Sequence, residues 1–506
     1  MEPAKRIIVN TSVQYVKAII TTCLSLYSTR LILDALDVND FGIYSVIAGV
    51  VAMLGFITNA LIITTQRYLS VYKAKEDITF IKKLFSNSLL IHIVFGTLVC
   101  VILLLLEGLL FDNVLNIDAS RLSTAKTVYG IAVLMLFVTI LTSPFKALFI
   151  AHENIVYIAS VEIADSIVKV IIAIELAYVT LDKLLVYAWM MASIVVLNFL
   201  AFSIYGMVRF KECSIIIRKR DIDMMHIKNL TGFAGWTTYG MACVAARNQG
   251  TAVVLNHFFN TVVNAAYGIA FQINGAIVFL VVSIQNAMNP QLMQAEGSGN
   301  REKMLKMATQ LSKFSVAILN IAIIPLVVEM PAILDLWLKD VPEGTTMFCR
   351  FILIAFLVDQ ITLGLSSANQ AMGHIRTFTL LTYTPKLIYL IAIWLILAQG
   401  GTAECVMIIY VVLELSVALI RIPYMKYKVG LRILDYCKEV IIPIMIQASV
   451  VIGVCLLCIT YITPPYHFFV TITCAVLAGL VTGWVFVLNS MEKAYTYNVI
   501  KKMIGR

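Results

Sequence analysis

Long apolar blocks alternate with short polar breaks along the chain, and the length of the blocks sets the architecture. Each runs for about 20 residues, which is what an α-helix needs to cross roughly 30 Å of hydrocarbon while satisfying its own backbone hydrogen bonds. In order, the blocks predict helices near 7–33, 41–65, 89–110, 127–145, 155–179 and 184–208, a first group of six. A basic stretch, 209–228, separates them from a second six near 230–258, 262–288, 314–328, 347–365, 377–398 and 401–420. Two more follow near 440–462 and 468–488, then a short tail suited to lie on a membrane surface. The expected fold class is an all-α polytopic membrane protein of about 14 transmembrane helices. The expected domains are a six-helix lobe over 1–215, a second over 216–430, and an additional two-helix segment with its tail over 431–506.

Composition rules out the alternative of a single soluble core. With 60% hydrophobic and 13% charged residues and a mean hydropathy of +0.91, the chain has far too few charges to cover its apolar surface in water. The first apolar stretch, Ile7–Leu33, is too long and too polar for a cleavable signal and is expected to remain as helix 1. Ten cysteines are scattered through the apolar blocks, and the close pair Cys455 and Cys458 reads as helix packing rather than redox or metal chemistry.

A net charge of +9 points to nucleic acid only until its distribution is laid out. With the N-terminus inside, the cytoplasmic segments hold 28 of the 38 Lys and Arg residues. External loops hold four, Arg121, Lys126, Lys183 and Lys339, and the remaining six lie within helices. This asymmetry is the positive-inside pattern, and it predicts cytoplasmic placement of both termini.

The two groups of six also repeat one another in order. Asp40-Phe41-Gly42-Ile43-Tyr44 opens helix 2, and Ala266-Tyr267-Gly268-Ile269 opens helix 8. Phe111-Asp112-Asn113-Val114-Leu115 after helix 3 parallels Leu334-Asp335-Leu336-Trp337-Leu338 after helix 9. Residues 144–152 run parallel to 366–374. Because each copy has an even number of helices, the repeats share one orientation.

Helix 1 ends in Ser28-Thr29-Arg30-Leu31-Ile32-Leu33, a short turn leads into Asp40-Phe41-Gly42-Ile43-Tyr44, and helix 2 leaves through Gln66-Arg67-Tyr68. In this, and over roughly 1–490, the chain resembles the Wzx-type polysaccharide or O-antigen flippases. These belong to the superfamily that also holds the multidrug MATE exporters and the lipid II flippases. The resemblance implies a V-shaped pair of six-helix lobes around a central cavity, alternating access, and an undecaprenyl-diphosphate-linked oligosaccharide as cargo in the bacterial inner membrane. It also implies membrane lipids and polysaccharide-assembly proteins as partners, with no nucleic acid. The last two helices are compatible with the family, and in lipid II flippases such a pair is associated with a lipid-tail groove.

Ionisable groups inside a bilayer are costly, about 2.5–3.5 kcal/mol each on the insertion scale, so they are expected to face a cavity or a partner. The basic ones are Lys17, Arg30, Lys169, Arg247, Arg350 and Lys386. Lys17 shares a helical stripe with Asn10, Thr21 and Ser28, and Arg247 shares one with Trp236, Gly240, Cys243 and Thr251. A cation on helix 7 beside Lys17 suits a diphosphate, arginine supplying a planar fork of donors and lysine a point charge. Lys386 follows Pro385, where a kink borders a cavity. The candidate head-group cations are therefore Lys17, Arg30, Arg247, Lys386 and Lys169. Beside this stands a structural reading for Arg30 and Arg350, which sit near helix ends and can snorkel, and for Asp165 and Lys169, four apart and able to pair. Glu107, Glu162, Asp165, Glu175, Asp359 and Glu414 match the basic residues in number. Asp359, Glu414 and Asp165 are the candidates for coupling to a proton or cation.

No nucleotide-binding G-x-x-x-x-G-K-[ST] loop is present, so transport is expected to be secondary. His152-Glu153 lacks the second histidine of a zinc protease, and Asp221-Ile222-Asp223 is a lone D-x-D in a basic linker. No catalytic residue, metal or cofactor is expected. A membrane polymerase or ligase would carry a large external loop, and every expected external loop is short. The other transport reading, a MATE-type multidrug or cation antiporter, calls for carboxylates in the cavity.

Overall fold

The computed structural model describes residues 3–52, 54–73, 78–113, 117, 120–218, 221–259, 261–338, 340–461, 467–494 and 497. Of the positions singled out above, Val114, Leu115, Lys339 and the tail beyond 497 lie outside the described residues. The described residues are helical throughout apart from connections. The helices are α1 (Pro3–Ala52), α2 (Gly55–Lys73), α3 (Ile78–Leu105), α4 (Glu107–Asn113), α5 (Leu122–Ala151), α6 (Ile155–Glu175), α7 (Lys183–Arg209), α8 (Met224–Phe258) and α9 (Thr261–Gly297). They continue as α10 (Arg301–Val328), α11 (Met330–Trp337), α12 (Thr345–Gln360), α13 (Leu363–Met372), α14 (Ile375–Ala398), α15 (Ala403–Val429), α16 (Ile433–Tyr436), α17 (Ile442–Tyr461) and α18 (His467–Thr482).

Among the described residues, ten helical stretches are long and apolar enough to cross a membrane, and an eleventh is the pair α12 and α13, bent by 46°. Of the expected fourteen, the block 41–65 falls on the end of α1 and the start of α2, and the blocks 155–179 and 230–258 fall on α6 and α8; α2, α6 and α8 are too polar to reach that mark. In α6 the cause is Glu162, Asp165, Lys169 and Glu175. Large apolar side chains are exposed along the remaining helices, such as Leu98, Ile102 and Leu105 on α3 and Val412, Leu415 and Leu419 on α15. Such a surface is at home only against lipid.

Two expectations about connections need correction. The turn expected between helices 1 and 2 is absent: α1 runs unbroken for 50 residues, about 75 Å at 1.5 Å per residue, through Asp34, Asp37 and Asp40. Nothing between Leu31 and Phe41 is a proline or glycine, so no residue there removes a backbone donor or frees φ, and polarity alone does not end a helix. The segments 66–88 and 289–313, which the apolar blocks leave between them, are mostly helix as well. α9 and α10 are joined by three residues, with Gly299 at φ 79° and Asn300 capping α10 by accepting the N–H of Lys303 at 3.0 Å.

The described residues form two compact units. One comprises Ile8–Met241, with its core built from α1, α2, α3, α5 and α7 around Leu36, Ile47, Tyr129 and Ile140. The other takes in the residues before Ile8, and its main body begins at Ala242, with a core from α8, α9, α10, α12, α14 and α15 around Leu255, Leu319, Leu353 and Val406. Gly364 opens the bend between α12 and α13 against α10, where a Cβ would collide with the Ala308 carbonyl, and its N–H donates to Ser312 Oγ at 2.9 Å. The last two long helices dock on α10 by polar bonds in an apolar seam. Asn320 Nδ2 donates to the Ile444 carbonyl at 3.0 Å and to Gln447 Oε1 at 3.2 Å, while Gln447 Nε2 donates to the Gly479 carbonyl at 3.0 Å. Cys455 packs with Ile324, Val451 and Ala475 in this seam, and Cys458 is buried nearby on the same helix.

Candidate functional site

In the unit Ile8–Met241, a cavity of about 570 Å³ is lined by α2, α5, α6 and α7 together with the second half of α1. Glu162, Asp165 and Lys169 lie on one stripe of α6 and face it, with Lys146 of α5 opposite. The two oxygens of Glu162 each take a cation. Lys17 Nζ of α1 donates to Oε2 at 2.8 Å, and Lys146 Nζ donates to Oε1 at 2.5 Å. Asp165 accepts from Lys169 Nζ at 2.7 Å and from Asn198 Nδ2 of α7 at 2.8 Å. These groups are not sealed off: the side chains of Lys17, Lys146 and Lys169 are 21%, 33% and 39% exposed. The stripe on α1 is polar as expected, with Asn10 and Ser28 buried and Asn10 Nδ2 donating to the Glu153 carbonyl at 3.1 Å.

The unit that begins at Ala242 has a smaller cavity of about 310 Å³, which brings together four of the residues picked out by sequence: Arg247, Lys386, Glu414 and Asp359. Glu414 of α15 is again shared by two cations. Lys386 Nζ of α14 donates to both its oxygens at 2.5 and 2.8 Å, and Arg247 of α8 pairs with it through Nη1. The Arg247 guanidinium also lies 4.5 Å from the Tyr410 ring centre and donates to Asn248 Oδ1 from Nε and Nη2 at 3.1 and 2.9 Å. Asp359 of α12 pairs with Arg421 of α15 at 2.8 Å. Here the cations are shut in, Arg247, Lys386 and Arg421 being 7%, 3% and 4% exposed.

Arg30 takes no part in the Glu162 cluster and is exposed on α1. Arg350 donates to the carbonyls of Val327 and Val328 at 2.8 and 3.3 Å, capping the end of α10. The Asp221-Ile222-Asp223 segment opens α8: Asp223 Oδ1 accepts the Met225 N–H at 2.8 Å, and Asn87 Nδ2 of α3 holds the Asp221 carbonyl at 2.8 Å.

Three participants were not assigned to the site from sequence. Lys146 and Arg421 sit at the ends of apolar blocks, where they read as cytoplasmic charge, and Glu162 was one acid among six. Two cues point to them. Lys146 follows Pro144 inside a helix much as Lys386 follows Pro385, and Glu162 to Lys169 has the same seven-residue spacing as Glu414 to Arg421.

No protein-family model and no curated protein sequence matches the chain. Its fold is shared with transporters of the MATE and MOP superfamily. A solved structure of MATE in its bent conformation superposes with a TM-score of 0.74 at 12% identity, covering 85% of this chain and 96% of that one. An outward-facing multidrug resistance MATE family transporter of the MOP superfamily gives 0.72 at 12% identity, with the same coverage of both chains. A MOP superfamily transporter from Pyrococcus furiosus, whose binding pocket of reverse polarity is described as suggesting a different function, gives 0.71 at 12%, covering 85% and 96%. At this identity the likeness establishes the fold.

Proposed function

We propose that this protein is a secondary transporter that flips an undecaprenyl-diphosphate-linked oligosaccharide across the bacterial inner membrane by alternating access, with both termini in the cytoplasm. The observation that carries the reading is the charge of the cluster at the larger cavity. Lys146, Lys169, Glu162 and Asp165 line it in balance, and Lys17, which pairs with Glu162, adds a third lysine, so that the cluster holds one more cation than carboxylate and all three lysines remain partly exposed. A diphosphate entering there competes with Glu162 for Lys17 and Lys146, and each phosphate oxygen accepts a charge-assisted hydrogen bond. Arg247 and Lys386 belong to the other unit and are too enclosed to meet a large head group.

The antiporter reading rests on Glu162 and Asp165, which line the same cavity and give a cationic drug two carboxylates to approach. One experiment separates the two. The gene is deleted in its own bacterium and replaced by wild type, Lys17→Ala or Lys146→Ala at matched expression. Surface glycan, leaflet-resolved lipid-linked oligosaccharide and drug sensitivity are then measured. Lost glycan with lipid-linked oligosaccharide held in the inner leaflet, in the deletion and in either variant, is expected. Intact glycan with drug sensitivity in the deletion overturns the flippase and leaves the antiporter.

A further inference from the structure

We propose that the cavity of the unit beginning at Ala242 is a binding site for a small inorganic anion of single charge, of the halide class. The inference concerns an ion held inside one unit and does not depend on what the transporter carries. Five charged side chains line the cavity: Arg247, Lys386 and Arg421 against Asp359 and Glu414, a surplus of one positive charge. The three cations are each more than nine-tenths buried, so water does little to screen the surplus, and an unbalanced charge in such surroundings is expensive.

Hydrogen bonding points the same way. Arginine and lysine carry only donors. Among the described residues, Arg421 spends Nη1 on the Asp359 carboxylate and carbonyl and on Thr362 Oγ1, and its buried Nε–H has no acceptor. Arg247 turns to its own neighbour Asn248 for one. The cavity thus holds an unmet donor on Arg421, which a halide accepts from, and an unmet acceptor, Asn274 Oδ1, which a water of the ion's hydration shell can meet.

Size and charge narrow the class. At about 30 Å³ per water the space holds roughly ten waters, enough for a halide with part of its hydration shell and far too little for an oligosaccharide. A doubly charged phosphate or sulfate would turn the surplus into an equal deficit.

The charge count also defines the test. In Lys386→Met, Arg247 keeps Glu414 and Arg421 keeps Asp359, so the cavity becomes neutral; in Glu414→Gln the surplus doubles. Purified full-length wild type and both variants are unfolded thermally in detergent at fixed sodium and ionic strength, with bromide or chloride replacing gluconate stepwise. Wild type is expected to show a saturating rise in unfolding midpoint of about 2 °C or more, as for any ligand that binds only the folded state. Lys386→Met is expected to lose that rise and Glu414→Gln to enlarge it. Bromide anomalous scattering from wild-type crystals is expected to give a peak between Arg247 and Arg421. A wild type indifferent to halide, the outcome if Lys386 is itself neutral, overturns the proposal. So does a Lys386→Met variant that responds like wild type, and these readings stand whether or not Glu414→Gln folds.

Discussion

The two units hold the same set of charges and treat them differently. Each has a glutamate shared by two cations, one of them from α1 or α8, the helices that begin the two repeats read from sequence, and an aspartate paired with a third: Glu162 with Lys17 and Lys146, Asp165 with Lys169; Glu414 with Arg247 and Lys386, Asp359 with Arg421. In the first unit the cations are lysines at 21–39% side-chain exposure, two of them lining a cavity of about 570 Å³; in the second, two arginines and a lysine are buried around about 310 Å³. The difference teaches that a charge constellation has no function until its solvation is known. Water balances the surplus in the first unit and leaves its lysines ready to trade a carboxylate for a ligand. In the second, the protein or a trapped ion must supply the balance.

The comparison breaks most easily at the shared glutamates. Replacing Glu414 by Gln strands two buried cations and is expected to destabilise the protein by about 3–5 kcal/mol in a halide-free buffer. Replacing Glu162 by Gln, among groups that water reaches, is expected to cost about 1 kcal/mol or less. Chemical or thermal unfolding of the two purified variants side by side checks this. Equal losses would mean that the two clusters are solvated alike.

A smaller effect is expected on transport. A hydrogen bond to a charged group is worth about 1.5–3 kcal/mol, so Lys17→Ala or Lys146→Ala should slow flipping of lipid-linked oligosaccharide at limiting cargo by roughly 10- to 100-fold. Lys169→Ala is expected to cost less than about tenfold, because Lys169 is the most exposed of the three and already tied to Asp165 on its own helix. Initial rates in proteoliposomes measure this. A reversed order, with Lys169→Ala the most damaging, would move the head group to the Asp165 end of the stripe.

How much of this was readable beforehand depended on what hydropathy can register. A charge in the middle of an apolar block is conspicuous, so Lys17, Arg247, Lys386, Asp359 and Glu414 were visible one by one. Their pairing was not, because Glu414 meets Arg247 across 167 positions of chain and Asp359 meets Arg421 across 62. Lys146 and Arg421 were hidden for the opposite reason, since at the end of a block a cation is what the positive-inside pattern predicts. The helix order was legible and the breaks were less so. Asp37, Asn39 and Asp40 look like a turn to any scale of polarity, yet α1 continues through them, and the helical extensions around Lys73 and Gly297 are as polar as loops.

The smallest predicted effect tests whether the first unit does answer to bulk solvent. Outside its membrane-spanning segments, Arg121 donates to Asp40 at 2.5 and 2.9 Å and to Asp182 at 3.0 and 3.2 Å, joining α1 to the start of α7, whose Leu184 N–H Asp182 caps at 3.1 Å. Burial pushes the Asp182 carboxyl up, but the hydrogen bonds from Arg121, from the Leu185 N–H and from Thr124, with the charge of Arg121, outweigh it and hold the carboxyl below the usual range. A carboxyl depressed in the folded state stabilises fully above its unfolded value of 3.8, and loses that stabilisation as pH falls through the lower folded value. Wild type should therefore exceed Arg121→Ala by about 0.5–1 kcal/mol, unchanged from pH 8 to about pH 5, with the gap closing as the pH drops below about 4. Unfolding midpoints of the two proteins across that range, at constant halide, measure the gap. If it persists in acid, the clip owes its strength to packing of the arginine stem, and exposure to water is not what sets this unit apart.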